Sequence, residues 1–335
     1  MSRNRPGIAV LYNAPSLLPD DRDYASEADV VSVARAVVAV LEANGFEAWE
    51  QPASPPLADF IAELAGTAPD VVFNLIEGFA GSSAGESQIT GLLELLGLPY
   101  TGCPPDSQSL CRRKGRTKAI LRDAGLPTAP FLVVTDSIVP SFPGPYMVKP
   151  DGQDASLGID QGSVIADARD LPARVSALRT RYGPSVLIEA YLPGPEYNVG
   201  VLALPDPEPL MVAGVVYKPG PGEWPILTYD AKWDIGSPAD LASPILCPAW
   251  IDEKLAATLA RLAVSAFRAT GCRDYARVDF RLDAEGHPMI LEVNPNPDIG
   301  PTAGWARALK ESGRDYGQSI VAIARQALAR GPQHG

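Results

Sequence analysis

Four polar side chains interrupt an otherwise strand-like pattern in ARVDFRLDAEGHPMILEVN, residues 276–294: Arg277, Asp279, Glu292 and Asn294. On an extended chain successive side chains point to opposite faces, so Val278, Phe280 and Leu282 share one face and Arg277, Asp279 and Arg281 the other. A two-residue turn at Glu285-Gly286 makes the two runs a hairpin. Simple pairing then sets Asp279 opposite Glu292, Arg277 opposite Asn294, Val278 opposite Val293 and Phe280 opposite Leu291, with Ile290 beside the polar set. Facing carboxylates repel, and a cation would offset them. The donors are all oxygens, which suits Mg²⁺ rather than zinc. An exposed hairpin laced with salt bridges fits the same pattern.

Other polar residues punctuate apolar runs upstream. Lys149 ends the short run YMVK and leads into the loop DGQDASLG, whose Ser156 and Gly158 could present a hydroxyl and backbone N–H groups to phosphate. Neither GxxxxGK[ST] nor GxGxxG is present. Glu189 closes the buried-looking strand SVLIE, placed to meet a ligand amine or to cap a loop. Glu196 precedes an alternating strand, and Lys232 lies among aromatics in TYDAKWD, a loop without regular structure. Lys114 and Lys118 sit one turn apart on a basic helix, a solvated face by default and a phosphate partner otherwise.

The elements that must hold these groups begin with GIAVLYNA as a buried strand. Helix 26–44, strand Phe46–Glu50, helix Leu57–Leu64 and strand Asp70–Leu75 follow. This alternation predicts a parallel sheet covered on both sides. Helices are expected over 85–96, 111–125, about ten residues near 170–182, 250–270 and 315–329. Further strands are expected at 146–149, SVLIE, EYNVGVLA and MVAGVVYKPG, and residues 220–248 read as one long polar and aromatic loop. The tail RGPQHG reads as disordered.

The 335 residues are enough for two or three domains. Twenty-eight basic against forty acidic residues give a net charge of −12 with no basic block, which disfavours nucleic acid as a partner. MSRNRPG lacks the apolar run of a signal peptide and no stretch approaches a membrane span, so a cytoplasmic location is expected. Cys103, Cys111, Cys247 and Cys272 are scattered without metal-ligand spacing. With only His287 and His334, histidine acid–base chemistry and a His-rich zinc site are excluded.

In order, these features resemble the ATP-grasp superfamily, and within it the D-alanine–D-alanine ligases, over nearly the whole chain. The likeness runs through VVFNLIEG…GESQITGLLELLGLPYTG, KGRTK at 114–118, MVKPDGQDASLG, LIEAYLPGPEYNVGVL, YDAKW and ARVDF…ILEVNPNPDIGPT. It implies an α/β and α+β fold: an N-terminal parallel-sheet domain at 1–110, a small central domain at 111–187 and a C-terminal antiparallel-sheet domain at 188–330. It implies ATP between the last two, with Lys114 and Lys149 on its phosphates and Ser156 and Gly158 in a glycine-rich lid. Glu189 would meet the adenine amino group, Ala190, Tyr191 and Leu192 would line the base, and Glu196 would bind the ribose. Lys232 would bind phosphate from the substrate side. Asp279, Glu292 and Asn294 would hold two magnesium ions, with manganese possible, and Arg277 would steady the transferred phosphoryl group. The implied reaction phosphorylates a small-molecule carboxylate and then ligates it to an amine; a homodimer is implied as well.

Departures from the ligase pattern gather at the amino-acid substrates. Glu77 stands where the family carries histidine, Ala155-Ser156 replaces two serines, and Trp233 replaces a tyrosine. The N-terminal glutamate of that hydrogen-bonded set corresponds to Glu27 or Asp29, and Arg113 replaces an aspartate before the first lysine. Asp298, in PNPDIGPT, stands near a usual glycine, where an acid repels a substrate carboxylate and favours an amine or another cation. The expectation is a carboxylate–amine ligase acting on a non-standard amino acid or small molecule, as in specialised metabolism. D-alanine–D-alanine ligation, cyclisation, phosphorylation alone, and a binding protein on an inactive scaffold are the alternatives.

Overall fold

The computed structural model describes residues 5–15, 17, 24–135, 138–154 and 156–331, without the side chains of 25–27. Strand β1 (Gly7–Asn13) is buried along its whole length, as a strand covered on both faces must be. Helix α1 (Tyr24–Ala43), β2 (Glu47–Ala53), α2 (Leu57–Thr67) and β3 (Val71–Asn74) follow, and the strands form a parallel sheet in the order β2-β1-β3. The predicted parallel sheet is therefore present. Helices α3 (Gly85–Leu95) and α4 (Pro105–Cys111) lead out of it.

Helix α5 (Lys114–Asp123) starts a second layer with β4 (Phe131–Val134), β5 (Tyr146–Pro150), β6 (Val164–Ile165), α6 (Leu171–Tyr182) and β7 (Val186–Ala190). Its four strands are ordered β4-β7-β5-β6, all antiparallel. Helix α5 approaches β4 so closely that a Cβ on Gly115 would stand 2.2 Å from Val133 Cγ2. The Gly115 N–H donates to Asp151 Oδ1 at 2.7 Å, which fixes the helix against the end of β5.

The third sheet contains β8 (Glu196–Ala203), β9 (Pro207–Pro209), β10 (Ala213–Val215), β11 (Ile245–Leu246), β12 (Tyr275–Leu282) and β13 (Pro288–Asn294). Its order is β11-β10-β8-β12-β13, with β9 on the other end of β8. Between β10 and β11 lie two short helices, α7 (Tyr229–Trp233) and α8 (Pro238–Leu241). Helix α9 (Glu253–Ala269) begins where the Asp252 side chain accepts from Leu255 N. It buries Leu259, Leu262, Ala263, Ala266 and Phe267 on the sheet, and the larger three contribute about 1.5–3 kcal/mol each. Helices α10 (Gly304–Glu311) and α11 (Tyr316–Arg330) end the fold. They turn back to the first sheet, where Trp305, Leu309, Ile320 and Ile323 share one core with Val37 and Leu41 of α1 and Val10 of β1.

Several local expectations need correction. Residues 220–248 are not wholly irregular: Thr228 caps α7 and Ser237 caps α8. The basic helix starts at Lys114 rather than residue 111, after a separate α4, and α10 is an additional helix. The strand expected across MVAGVVYKPG is only Ala213–Val215. Cys272, far along the chain from Cys103 and Cys111, meets both where α4 packs beside the α9–β12 connection, and all are free thiols. The tail beyond residue 331, including His334, lies outside the described residues.

Candidate active site

The hairpin strands pair as Arg277–Asn294, Val278–Val293 and Asp279–Glu292. Beyond Asp279 the register shifts, so Phe280 faces Ile290 and Leu291 is the extra residue. Such a bulge re-aims neighbouring side chains. Ile290 and Val293 enter the apolar core behind the sheet, while Leu291, Glu292 and Asn294 line a cleft of about 850 Å³. The expected Phe280–Leu291 pair and the polar-face place of Ile290 are therefore overturned. A strictly alternating strand could not send Ile290 and Val293 to one face.

The same cleft gathers groups from distant elements. Lys114 comes from α5, Lys149 from β5, Glu189 and Ala190 from β7, and Glu196 from β8. Tyr191 and Leu192 follow β7, Ser156 comes from the loop after β5, and Lys232 from α7. Arg277 and Asp279 complete the wall from β12. Gly158 does not line the cleft. Its φ is +77° and a Cβ there would stand 2.8 Å from Pro150 Cγ and Tyr182 Cε2, so glycine shapes the loop. Ala155 and the Glu27 side chain lie outside the described residues, and Asp29 is on the cleft wall.

Charge pairs organise the cleft floor. Lys149 and Glu189 stand diagonally on one face of β5 and β7, because Lys149 pairs with Leu187 and Glu189 with Met147. Lys149 Nζ lies 2.5 Å from Glu189 Oε1, and Lys118 Nζ lies 2.8 Å from Glu189 Oε2. Burial would raise the Glu189 carboxyl, but the two ammonium groups outweigh it and hold it down to about 2. Lys118 is fully buried, which corrects the solvated-face reading of its helix. Its only sequence signal was its place one turn after Lys114.

Lys114 Nζ reaches Gln153 O and Asp154 Oδ1 at 2.6 Å each and Glu292 Oε2 at 3.2 Å. Burial alone would depress this lysine, yet Asp154 and Glu292 raise it and keep it charged. Against the effect of its own burial, Glu292 is held down to about 2 by Lys114, Lys149 and Arg277. Arg277 grips Asp279 with two bonds, Nε to Oδ1 at 2.7 Å and Nη2 to Oδ2 at 2.8 Å. Asn294 Oδ1 accepts from Asn296 N at 2.9 Å. Two carboxylates and an amide oxygen on adjoining strand positions form an all-oxygen donor set that fits a hard divalent cation.

On the nearer side of β8, Glu196 accepts from Tyr217 OH at 2.7 Å and sits opposite Arg281 in the sheet. Arg281 also donates to Gly194 O, Tyr191 OH and Pro225 O. It braces the segment after β7, a role that sequence spacing did not suggest.

The far wall is acidic. Glu77, Glu86 and Asp298 line it together with Asp29, and Glu77 and Glu86 also feel the charge of Asp154, the partner of Lys114. Desolvation inside the cleft, then Asp298, raises the Glu77 carboxyl to about 7, with Lys232 opposing. Burial likewise pushes Asp298 and Glu86 upward. Lys232 is lowered by desolvation and by the like charge of Arg277, and its Nζ stands 5.1 Å from the Trp233 ring centre. The cleft thus joins a floor of paired cations and carboxylates to an acid-rich wall. Outside it, His287 lies on the surface 3.3 Å from Asp283. Among the described residues no helix is long and apolar enough to cross a membrane.

Comparison with known proteins gives the chain its relatives. Residues 120–325 match the family model described as D-ala D-ala ligase C-terminus. A D-alanine–D-alanine ligase of Gluconobacter oxydans is 31% identical over 301 residues, covering 88% of this chain and 93% of that one. A Sinorhizobium fredii protein, "Uncharacterized protein y4sG", is 35% identical over 263 residues, 78% of this chain and 75% of its own. In fold, the chain is similar to the D-alanine–D-alanine ligase of Bacillus anthracis complexed with ATP, with a TM-score of 0.75, 18% identity and 98% of both chains covered.

Proposed function

The chain belongs to the D-alanine–D-alanine ligase family of ATP-grasp enzymes, and on that premise we propose that its cleft joins a small carboxylate to an amine at the expense of ATP. It is an ATP-grasp ligase, forming carbon–nitrogen bonds with release of ADP. The observation that carries the proposal is the convergence of Lys114, Lys149, Lys232, Arg277, Asp279 and Glu292 on one cleft. With this function goes a division into 1–110, 111–187 and 188–330, the nucleotide lying between the last two.

In the first step a substrate carboxylate oxygen attacks the γ-phosphorus of ATP, giving an acyl phosphate and ADP. In the second the amine attacks the acyl carbon, loses a proton and displaces phosphate. Lys114, Lys149 and Lys232 offset phosphoryl charge, and Arg277 donates to the oxyanion that develops at the acyl carbon. Glu189 accepts from the adenine amino group beside Ala190, Tyr191 and Leu192, and Glu196 accepts from the ribose. Ser156 closes with its loop over the phosphates, and Gly158 lets that loop turn. Glu27 or Asp29 meets the substrate, and Asp29 stands on the cleft wall. Asp279, Glu292 and Asn294 would hold magnesium or manganese, which supplies charge compensation to the phosphates. A cytoplasmic homodimer completes the proposal.

The similarity to named ligases favours D-alanine for both substrates. A second reading, a non-standard pair whose amine partner carries a further cation, rests on Glu77 and Asp298 in the acidic wall. One experiment separates them. The protein is incubated with Mg²⁺ and ATP and with amino acids singly and in pairs, and phosphate release and product mass are followed. D-alanine alone yielding its dipeptide supports the first reading and sinks the second. Turnover only with a cationic amine does the reverse, and no turnover with any pair counts against ligation.

A further inference from the structure

The Lys118–Glu189–Lys149 cluster places two ammonium groups on one buried carboxylate, yet only Lys149 and Glu189 reach the cleft. Lys118 has no exposed surface. Its Nζ is fixed from two further directions, donating to Thr128 Oγ1 at 2.7 Å and to Ile290 O at 3.4 Å. Thr128 Oγ1 itself donates to Ile290 O at 2.8 Å. The ammonium is thus anchored to the strand that carries Glu292, and it cannot follow a ligand.

We propose that Lys118 is a positioning residue for base selection: it holds the Glu189 carboxylate toward the 6-amino group of adenine and frees Lys149 for the phosphates. This rests on the reading of Glu189 as the adenine-facing residue. A carboxylate has about four acceptor sites, so two lysines leave capacity for an amino N–H. When Lys149 turns to a nucleotide phosphate, Glu189 still has a counter-ion. Without Lys118, Lys149 would be the sole partner of a buried charge. It would either stay on Glu189, at the expense of the phosphates, or leave that charge uncompensated.

The test compares binding of ATP and ITP by titration calorimetry with Mg²⁺ and no amino acid, which makes it independent of the substrate pair. ITP carries a carbonyl oxygen at position 6 and cannot donate to Glu189 there. The wild-type chain should bind ATP more tightly by about tenfold or more, the worth of a hydrogen bond to a charged group. Lys118→Met should bring the ratio of the two Kd values close to one, chiefly by weakening ATP. Thr128→Val, which removes one anchor of Nζ and keeps every charge, should lower the ratio less. A merely structural role would weaken both nucleotides alike and leave the ratio unchanged. A wild-type ratio near one overturns the reading of Glu189 itself. A high ratio kept in both variants overturns the role of Lys118 alone. If Lys118→Met fails to fold, an unchanged ratio in Thr128→Val decides against the proposal.

Discussion

Lys114 Nζ lies 3.2 Å from Glu292 Oε2, so the first residue of α5 closes onto the end of β13. The pair couples the phosphate-side helix to the strand bearing two of the three proposed metal donors.

Replacing Glu292 by Gln keeps the shape and removes the charge shared by Lys114, Lys149 and Arg277. Phosphate release should drop by at least about a hundredfold, more than is usual for an outer-sphere partner. Circular dichroism should remain that of the wild type. Undiminished turnover would remove Glu292 from the metal site.

Acid should weaken the fold through Glu189. Its folded pKa is about 2, below the ordinary 4.5. Stability from this group is therefore complete above about 4.5 and is lost as pH falls through about 2, on the order of 3 kcal/mol in total. Urea unfolding between pH 5 and 2 should show a shallower decline in Glu189→Gln than in the wild type. Identical slopes would contradict the two-lysine clamp.

Glu77 should behave in the opposite sense. Its carboxyl is raised to about 7, so the folded state favours its neutral form, and stability from that preference is lost as pH rises from about 4.5 to 7. Glu77→Gln should be more stable than the wild type at pH 8, with the difference vanishing by pH 4. An inflection near pH 7 in kcat/KM should disappear with the substitution. A variant less stable at pH 8 would refute the assignment.

Gly115→Ala tests the seating of α5. The added Cβ would stand 2.2 Å from Val133 Cγ2, and forced overpacking costs about 1–3 kcal/mol. A lower midpoint of thermal unfolding is expected, and an unchanged one would show that β4 yields freely.

Local chemistry explains what the sequence made legible. Gly7–Asn13 reads as a buried strand because Ile8 to Tyr12 form an unbroken apolar and aromatic run. Asp279 opposite Glu292 follows from alternation alone. The bulge at Leu291 does not, since a single inserted residue leaves no compositional mark and compensates the longer 283–287 turn. Lys118 was equally hidden: on a helix with three other basic residues nothing distinguishes a buried lysine from a solvated one until Glu189 is brought beside it. The acidic wall was visible only as isolated letters, because Asp298 is far along the chain from Glu77 and Glu86 and only the fold brings them together. The meeting of Cys103, Cys111 and Cys272 was missed for the same reason.

The core shared by α1 and α11 has a consequence for synthesis. Val37 and Leu41 leave the ribosome well before Ile320 and Ile323, which cover them. During translation the first sheet must wait, one flank uncovered, for some 280 residues to follow. A chain stalled before residue 316 would expose that greasy flank to chaperones and proteases even with every residue of the cleft already made.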